Sequence, residues 1–453
     1  MRFTDTVKLA LVCLTGLLFC GSVNAATLAE VYELAVTNDP ELAAAEANYL
    51  ARKEVRSQGL AGILPTVVVQ GSTSTNEQTK VLPEPSTTLN FNSHSWQAVL
   101  TQPLFRMDRW FQFRQSQNIA AQALADFSSQ QQELVFRVAD TYLNILEAQD
   151  RLTSAKAERD AVQRQLEQVQ QRFDVGLVAI TDVLESTAAY DTSMVNVIEA
   201  EGAQVISFEN LLRLTGRHIT EINELAQEFP IELPDPRNED AWVEAALSNN
   251  YSLIAAREGV KAAQRQVQIA RSGHLPTVNA EISYAESASG AGGFFGSEIE
   301  QSSAALRFSV PVFAGGGTRS IAKQAGYRLD EAQRNLDLTQ KTVVENTRTL
   351  YTAITTDVAR VNARLKNIES SQSALDATQT GYEVGTRNIV DVLLAQQRLY
   401  LAEFQYASAR YQYIRDTLRL KQVVGTLSPD DVYALNDYIS DESTVGKTSA
   451  IVR

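Results

Sequence analysis

The sequence predicts a mostly helical α+β fold in which one structural unit occurs twice along the chain. Three observations support this prediction. Short motifs recur about 210 residues apart, segments with two-residue alternation of apolar and polar side chains come in two pairs, and each pair precedes a proline-free stretch of about 60 residues. Alternation is typical of strands, uninterrupted length is typical of helices, and recurrence at a fixed offset indicates duplication.

The duplication is visible in matched motifs. Leu64-Pro65-Thr66-Val67 recurs as Leu275-Pro276-Thr277-Val278, and Asp182-Val183-Leu184 recurs as Asp391-Val392-Leu393. A unit of about 190 residues has therefore been copied. We predict this division of the chain: a signal peptide over 1–25, a first repeat over 26–229, a linker with prolines over 230–239, a second repeat over 240–440 and a polar C-terminal tail over 441–453.

The first 25 residues have the pattern of a secretory signal. Arg2 and Lys8 precede an apolar run of about ten residues, and Val23-Asn24-Ala25 supplies the small residues of a cleavage site. Both cysteines, Cys13 and Cys20, lie in this segment. We therefore expect an exported protein whose mature chain has no disulfide.

Each half has the same predicted order of elements: one helix, two strands, one long helix and one returning helix. The first helices are predicted over 28–60 and 241–271, where helix-forming residues run up to a Leu-Pro pair. The strands are expected to have about ten residues each. The long helices are predicted over 109–173 and 320–382, with apolar spacings of three and four that indicate a coiled-coil seam, and the returning helices over 182–215 and 391–424.

Charge and strand number limit the possible partners. The formal net charge is −14, so nucleic acid is excluded as a partner, because phosphate contacts need clustered Lys and Arg. Two strands per half make four per chain, and four strands leave two open edges. A sheet in a membrane has to close on itself, so several chains have to share one barrel. Strand number alone does not choose between two and three chains.

Two longer motifs carry a family resemblance. They are residues 171–183, QRFDVGLVAITDV, and residues 381–393, GYEVGTRNIVDVL. His274-Leu275-Pro276-Thr277 and Gly425-Thr426-Leu427 add to them. With these motifs the chain resembles the TolC outer-membrane efflux protein family over about residues 27 to 440.

The resemblance implies a homotrimeric outer-membrane β-barrel, with four strands from each chain, continued into the periplasm by a long α-helical coiled-coil tunnel. Such a channel is the passive exit duct of a tripartite multidrug efflux or type I secretion system. The implied partners are outer-membrane lipid, a periplasmic adaptor of the membrane fusion class, and an inner-membrane pump of the RND, ABC or MFS type. The choice between drug efflux and protein secretion stays open.

The resemblance also implies a gate at the turns between helices. Asp182 follows the first turn, and Tyr382 and Arg387 flank the second. In similar proteins the matching residues link the inner and outer coiled coils by hydrogen bonds and a salt bridge. Arginine suits this role because its planar fork of donors matches a carboxylate. The alternative is that these residues make ordinary turn contacts.

Asp391 is the candidate for a constriction ring in the pore. Threefold symmetry would repeat this carboxylate around the pore, where a ring of carboxylates attracts cations. The family pattern has a second aspartate three residues later, and here that position is Leu394. We therefore expect weaker block by cations. The alternative is that Asp391 is a first-turn acid stabilised by the helix dipole, as Asp182 is at the matching place.

The turns themselves are predicted to be the docking tips for the adaptor. They are Val175, Gly176 and Leu177 in the first half and Val384, Gly385 and Thr386 in the second. Glycine permits the tight reversal that each turn requires. The resemblance implies that an adaptor binds in the groove beside them.

We expect no enzymatic activity, no cofactor and no metal site. The three histidines are scattered, and no motif of a nucleophilic or metal-dependent enzyme occurs. The alternative function is a periplasmic coiled-coil scaffold or adaptor without a pore, since adaptors also contain coiled-coil hairpins. Two pairs of membrane-length alternating strands favour the channel.

Overall fold

The computed structural model describes residues 25–81, 87–226, 229–290 and 296–448. The predicted signal peptide, apart from Ala25, lies outside the described residues, as do Cys13 and Cys20. The first half contains helices α1 (Leu28–Asn38), α2 (Pro40–Ala61), α3 (Met107–Asp174) and α4 (Ile180–Thr215), and strands β1 (Thr66–Lys80), β2 (Thr87–Phe105) and β3 (Glu221–Leu225). The second half contains helices α5 (Glu239–Asn249), α6 (Tyr251–Ser272), α7 (Gly317–Glu383), α8 (Ile389–Val424) and α9 (Pro429–Asn436), and strands β4 (Thr277–Ser289), β5 (Ser297–Ser309) and β6 (Ile439–Gly446).

The long helices agree with their predicted extents within a few residues. Helices α3 and α7 have 68 and 67 residues, and helices α4 and α8 have 36 residues each. Over the part of the chain that the structure describes, no helix has both the length and the apolar character that crossing a membrane requires.

Each half begins with two helices where the sequence predicts one. In the first half the break falls at Asp39, whose Oδ2 accepts a hydrogen bond from the Leu42 backbone N at 3.0 Å. Pro40 begins α2 there, because its fixed φ suits a first helical position. In the second half Asn250 Oδ1 accepts from the Leu253 backbone N at 2.9 Å and caps α6. An acceptor that satisfies first-turn N–H groups starts a new helix.

The described chain divides into two compact units. One unit takes Ala44–Ser129 and Asn249–Val343, and it holds an antiparallel sheet in the order β1-β2-β4-β5. Its strands have 15, 19, 13 and 13 residues, longer than the ten expected. In the described residues β1 and β5 pair on one side only, so both edges of the sheet are open.

Side chains on neighbouring strands hold the register of this sheet. Trp96 on β2 donates from Nε1 to Glu286 Oε2 on β4 at 2.9 Å, and its ring lies 5.2 Å from that of Tyr284. Such cross-strand pairs stabilise a sheet. Every residue of β5 is exposed in the single chain, including Leu306 and Phe308. The described residues of one chain therefore leave this strand uncovered.

The other unit combines the chain up to Ala43 with Gln130–Ser248 and the chain from Val344 onward. Tyr142 on α3 lies in its core and donates from its hydroxyl to the Asn223 backbone O at 2.7 Å. Arg415 on α8 bridges Asp140 at 2.9 Å and Glu147 at 2.8 Å, both on α3. These contacts join strand β3 and the returning helix α8 to the same long helix.

This unit also holds a two-stranded sheet, which takes in residues 441–446 of the predicted polar tail. Strand β6 extends to Gly446 and pairs antiparallel with β3. The backbone of β6 forms hydrogen bonds with the edge of β3, and Val445 on β6 is buried. The composition of residues 441–446 is polar, so composition alone did not reveal this pairing.

Candidate functional site

The candidate site lies at the two helix reversals, one between α3 and α4 and one between α7 and α8. Gly176 and Gly385 have φ values of 77° and 79°, in the left-handed region that favours glycine. The backbone N of Gly176 donates to the Phe173 O at 2.8 Å, and that of Gly385 donates to the Tyr382 O at 3.1 Å. Both turns therefore close the preceding helix in the same way.

The tips carry exposed apolar side chains. Val175 and Leu177 are 70% and 74% exposed, and Val384 is 69% exposed. The fourth non-glycine tip residue, Thr386, donates from Oγ1 to the Gly381 backbone O at 3.0 Å, which ties down its turn. The predicted docking residues thus lie in two turns that are held by hydrogen bonds and expose apolar side chains.

A common apolar core supports both turns. It takes side chains from α3, α4, α7 and α8, so the two hairpins pack as one cluster. Its buried members are Val169, Val183, Leu375, Tyr382, Ile389, Val392, Ala395 and Leu399.

Tyr382, a predicted gate residue, is part of this core. Its side chain is buried, and the guanidinium of Arg172 lies 5.1 Å from its ring centre, within range of a cation–π interaction. Its hydroxyl is buried and has no hydrogen-bond partner among the described residues. Sequence reasoning did not single out Arg172. The signal was its place inside the motif over 171–183, four residues before Gly176.

Arg387 lies beside Asp391, which the sequence analysis had treated as a separate site. Its Nη1 is 3.8 Å from Asp391 Oδ2, and the two side chains are 61% and 36% exposed. At this separation and exposure an ion pair contributes about 0–1 kcal/mol. Asn388 caps α8 by accepting a hydrogen bond on Oδ1 from the Asp391 backbone N at 2.9 Å.

Asp182, the remaining predicted gate residue, stands apart from this pair. Its backbone N donates to the Ala179 O at 3.1 Å, in the first turn of α4. Within the described residues of one chain its carboxylate makes neither an ion pair nor a hydrogen bond. The structure thus brings Arg387 together with Asp391, and Tyr382 together with Arg172, but it does not join Asp182, Tyr382 and Arg387 to one another within one chain.

Leu394 follows Asp391 on α8 and is 43% exposed. An apolar side chain therefore reaches the surface where the family pattern has a second carboxylate. Asp391 is also a first-turn acid of α8, where a carboxylate interacts favourably with the helix dipole.

A cavity of about 570 Å³ lies elsewhere in the same unit and contains none of the predicted site residues. Asp150, Glu224 and Glu403 make its lining acidic. Burial raises the pKa of Asp150, although the Tyr411 hydroxyl donates to its Oδ2 at 2.7 Å. In the described ranges no three His, Cys, Asp or Glu side chains gather as metal ligands would.

Both halves of the chain match one family. Residues 31–217 and 242–426 match the family described as outer membrane efflux protein. The chain is 34% identical over 433 residues to outer membrane protein TolC of Escherichia coli (strain K12), covering 93% of this chain and 87% of that protein. It is 29% identical over 413 residues to the alkaline protease secretion protein AprF of Pseudomonas aeruginosa, covering 89% and 85%.

The fold has also been seen in solved structures. The outer membrane protein VceC from Vibrio cholerae superimposes with a TM-score of 0.75 at 17% identity, covering 88% of this chain and 96% of that chain. The outer-membrane channel OprN superimposes with a TM-score of 0.75 at 18% identity, covering 88% and 90%. At these identities the likeness establishes the shared fold.

Proposed function

The chain belongs to the outer membrane efflux protein family, and from that premise we propose that it is a passive exit duct gated at its periplasmic helix turns. It is an outer-membrane efflux channel of the efflux and type I secretion class, a transport protein and not an enzyme. The match of both repeats to one channel family carries this conclusion. It favours the channel over a periplasmic scaffold without a pore.

In this proposal three copies of the chain build the duct. The four-stranded sheet has open edges at β1 and β5, and unpaired backbone groups are too costly to leave in lipid. Pairing β1 of one copy with β5 of the next removes both edges. The exposed apolar side chains of β5, such as Leu306 and Phe308, would face lipid in such a barrel.

The proposed partners bind at the helix turns. Val175, Leu177 and Val384 offer exposed apolar side chains on loops whose backbone is held by hydrogen bonds. A periplasmic adaptor of the membrane fusion class would bury these side chains. The energy for transport would come from an inner-membrane pump of the RND, ABC or MFS type, since the channel has only to open and conduct.

The proposed gate is a set of weak polar contacts between copies. Arg387 is exposed and lies 3.8 Å from its nearest carboxylate, too far for a hydrogen bond. Asp182 has a carboxylate without a partner among the described residues, and Tyr382 has a hydroxyl without one. An Asp182 of a neighbouring copy would give Arg387 the close acceptor that its own chain lacks. Asp391 would then form the constriction ring beside this lock.

Single-channel conductance in a planar bilayer tests the duct and its gate. We expect a small conductance for the wild type and a larger open probability for Arg387→Ser. One exposed ion pair contributes about 0–1 kcal/mol, so three copies give up to about 3 kcal/mol, or roughly a hundredfold in open probability. Arg398→Ser is the matched control, because Arg398 is an exposed arginine on the same helix.

The outcomes separate the duct from its gate. If Arg387→Ser and Arg398→Ser both conduct as the wild type does, the gate assignment is wrong and the duct stands. If well-folded protein inserted in the bilayer never conducts, with or without these changes, the passive duct itself is wrong.

A further inference from the structure

The end of the four-stranded sheet where the helices join it is rich in positive charge. Because the strands are antiparallel, α2, α3, α6 and α7 all join the sheet at this end. The last twelve residues of α2 and α6 and the first twelve of α3 and α7 contain eleven Lys and Arg but only two acids. The four strands contain five acids and two cations, and the whole chain has a net charge of −14. Positive charge is therefore concentrated at this end of the unit.

The apolar face of the sheet carries aromatic side chains at the same end. Residues that lie opposite each other on paired strands point to the same face. Phe105 on β2 pairs with Val278 on β4, and Val278 pairs with Phe308 on β5. Ile282, four residues further along β4 and therefore on the same face, pairs with Leu100. This apolar face is the one that would contact lipid in an outer-membrane barrel.

Exposed aromatic and cationic side chains occupy the first turns of α3, directly after β2. Trp110 is 42% exposed, and the guanidinium carbon of Arg114 lies 5.4 Å from its ring centre. Helix side chains point towards the N-terminus, so Arg114 extends back towards the sheet. Arg109 is 46% exposed and lies 3.9 Å from Asp108, which Arg106 already holds at 2.7 Å. Arg109 and Arg114 can therefore bind an anion outside the chain.

The second repeat places the same kinds of side chain at the start of α7. Phe313 precedes this helix and is 88% exposed. Arg319 and Lys323 on its first turns are exposed, and neither forms an ion pair with a carboxylate among the described residues. The ammonium of Lys323 lies 5.7 Å from the ring centre of Tyr327, which is 62% exposed. Both junctions thus combine exposed cations with exposed aromatic rings.

The distance from the sheet matches the depth of lipid headgroups. Trp110 lies five residues after Phe105, the last residue of β2, which at about 1.5 Å per residue places it within roughly 8 Å of the sheet. Each headgroup layer of a bilayer is about 5–8 Å thick. Long cationic side chains beside an apolar surface extend their charge to this layer.

We propose that Arg109, Trp110, Arg114, Arg319 and Lys323 bind the phosphate headgroups of anionic phospholipids in the periplasmic leaflet of the outer membrane. The chain belongs to a family of outer-membrane channels whose helices extend into the periplasm, so this end of the sheet faces that leaflet. Each cation near an anionic membrane surface contributes roughly a fivefold gain in affinity. The exposed rings lie in the interface beside the headgroups, as aromatic girdles do.

Quenching of tryptophan fluorescence by brominated lipids measures which lipid lies beside a chosen tryptophan. The chain has three tryptophans, so Trp96→Phe with Trp242→Phe leaves Trp110 as the reporter. The full-length protein is reconstituted into vesicles of equal parts phosphatidylglycerol and phosphatidylcholine, with bromine on one lipid or the other. We expect Trp110 to report a preference for phosphatidylglycerol of roughly fivefold or more.

Trp96 is the matched control on the same sheet. Trp110→Phe with Trp242→Phe leaves Trp96, which donates from Nε1 to Glu286 and precedes Phe105 by nine residues on β2. At about 3.3 Å per residue this separation is roughly 30 Å, close to the thickness of the hydrocarbon core. Trp96 therefore lies near the opposite membrane surface beside an acid, and it should report no preference for phosphatidylglycerol.

Charge variants locate the interaction on the chain. Arg109→Gln with Arg114→Gln should remove most of the preference at Trp110, whereas Arg109→Lys with Arg114→Lys should keep most of it. Arg164→Gln with Arg398→Gln removes the same charge from exposed positions in the other unit and should leave the preference unchanged. Raised salt concentration should weaken the preference, because salt screens exposed charges. Native mass spectrometry of the wild-type protein should likewise retain more phosphatidylglycerol than phosphatidylcholine.

Several results would overturn the proposal. Equal quenching of Trp110 by the two brominated lipids would exclude a preference for anionic headgroups, and no quenching by either would remove Trp110 from the lipid interface. An equal preference at Trp96, or an equal loss in Arg164→Gln with Arg398→Gln, would assign the effect to the chain as a whole. The measurement needs insertion in a bilayer but no conduction, so loss of the duct proposal would leave it valid.

Discussion

Arg387 and Asp391 lie four residues apart in sequence and 3.8 Å apart in space, yet both side chains remain substantially exposed. Such a pair takes little free energy to break, as the proposed gate requires. Tyr382 differs, because it is buried and is packed against Arg172. Among the predicted gate residues, the arginine is therefore the one that can change partner without disturbing the core.

Replacement of Asp391 by alanine should reduce the preference of the pore for cations. A carboxylate at 4 Å attracts a monovalent cation by about 1 kcal/mol in water, so loss of the ring should lower the cation-to-anion permeability ratio by roughly fivefold or more. Reversal potentials in asymmetric salt measure this ratio. Asp376→Ala, an exposed acid on α7, should leave it unchanged. An unaltered ratio in Asp391→Ala would return Asp391 to the role of a first-turn acid.

At the residue scale the motifs predicted which residues lie at the turns, but they did not predict which side chains contact each other. The two motifs located Tyr382, Arg387, Asp391 and the glycine turns, because turn glycines and first-turn acids follow local rules. The cation–π contact of Arg172 with Tyr382 joins α3 to α7 and depends on how the hairpins pack. A spacing along one chain segment does not determine such a contact.

At the element scale, side-chain caps determine where helices begin, and a buried hydroxyl connects a helix to a neighbouring strand. Asp39 ends α1 and caps α2, and it also contacts Arg137 on α3. Tyr142 on the same long helix reaches the backbone of β3. Burial raises the pKa of Tyr142, so its hydroxyl stays protonated and remains a donor.

Tyr142→Phe should lower the free energy of unfolding by about 1 kcal/mol, because the Asn223 carbonyl loses a donor in a buried place. Denaturant titration followed by circular dichroism measures the change. Tyr327→Phe is the control, since Tyr327 is 62% exposed on α7 and should show no loss. Equal stability of both variants would mean that another donor replaces the hydroxyl.

Element boundaries show the limit of periodicity. The patterns predicted the long and returning helices within a few residues, because proline, glycine and apolar spacing act locally. They missed the breaks at Asp39 and Asn250, where a single side chain competes with helix continuation. They also missed β6, because its polar residues become a strand only against the edge of β3.

At the scale of the whole molecule, the open edges of the sheet are the feature that calls for more than one chain. Strands β1 and β5 each pair on one side only in the described residues. If neighbouring copies close the sheet, β1 of one copy lies beside β5 of the next. The trimer proposal rests on this geometry together with family membership.

Cysteines placed on the two edge strands should link separate chains. With Ser72→Cys on β1 and Ser303→Cys on β5, a flexible bismaleimide should give dimers and trimers on a denaturing gel. No other cysteine follows residue 25. Ser95→Cys with Ser287→Cys is the control, because these residues face each other on the central strands and should link within one chain. Monomers alone from the edge pair would contradict the shared sheet.

The sequence by itself determined the duplication, the order and type of the main elements, the glycine turns and the family, because these depend on local periodicity, backbone preference and motifs. Only the tertiary structure decided which side chains meet across elements. The contact of Arg172 with Tyr382, the bridges of Arg415 to Asp140 and Glu147, and the pairing of β3 with β6 join residues on different elements. Burial and charge at these contacts depend on the packed chain, because they are set by residues that are distant in sequence.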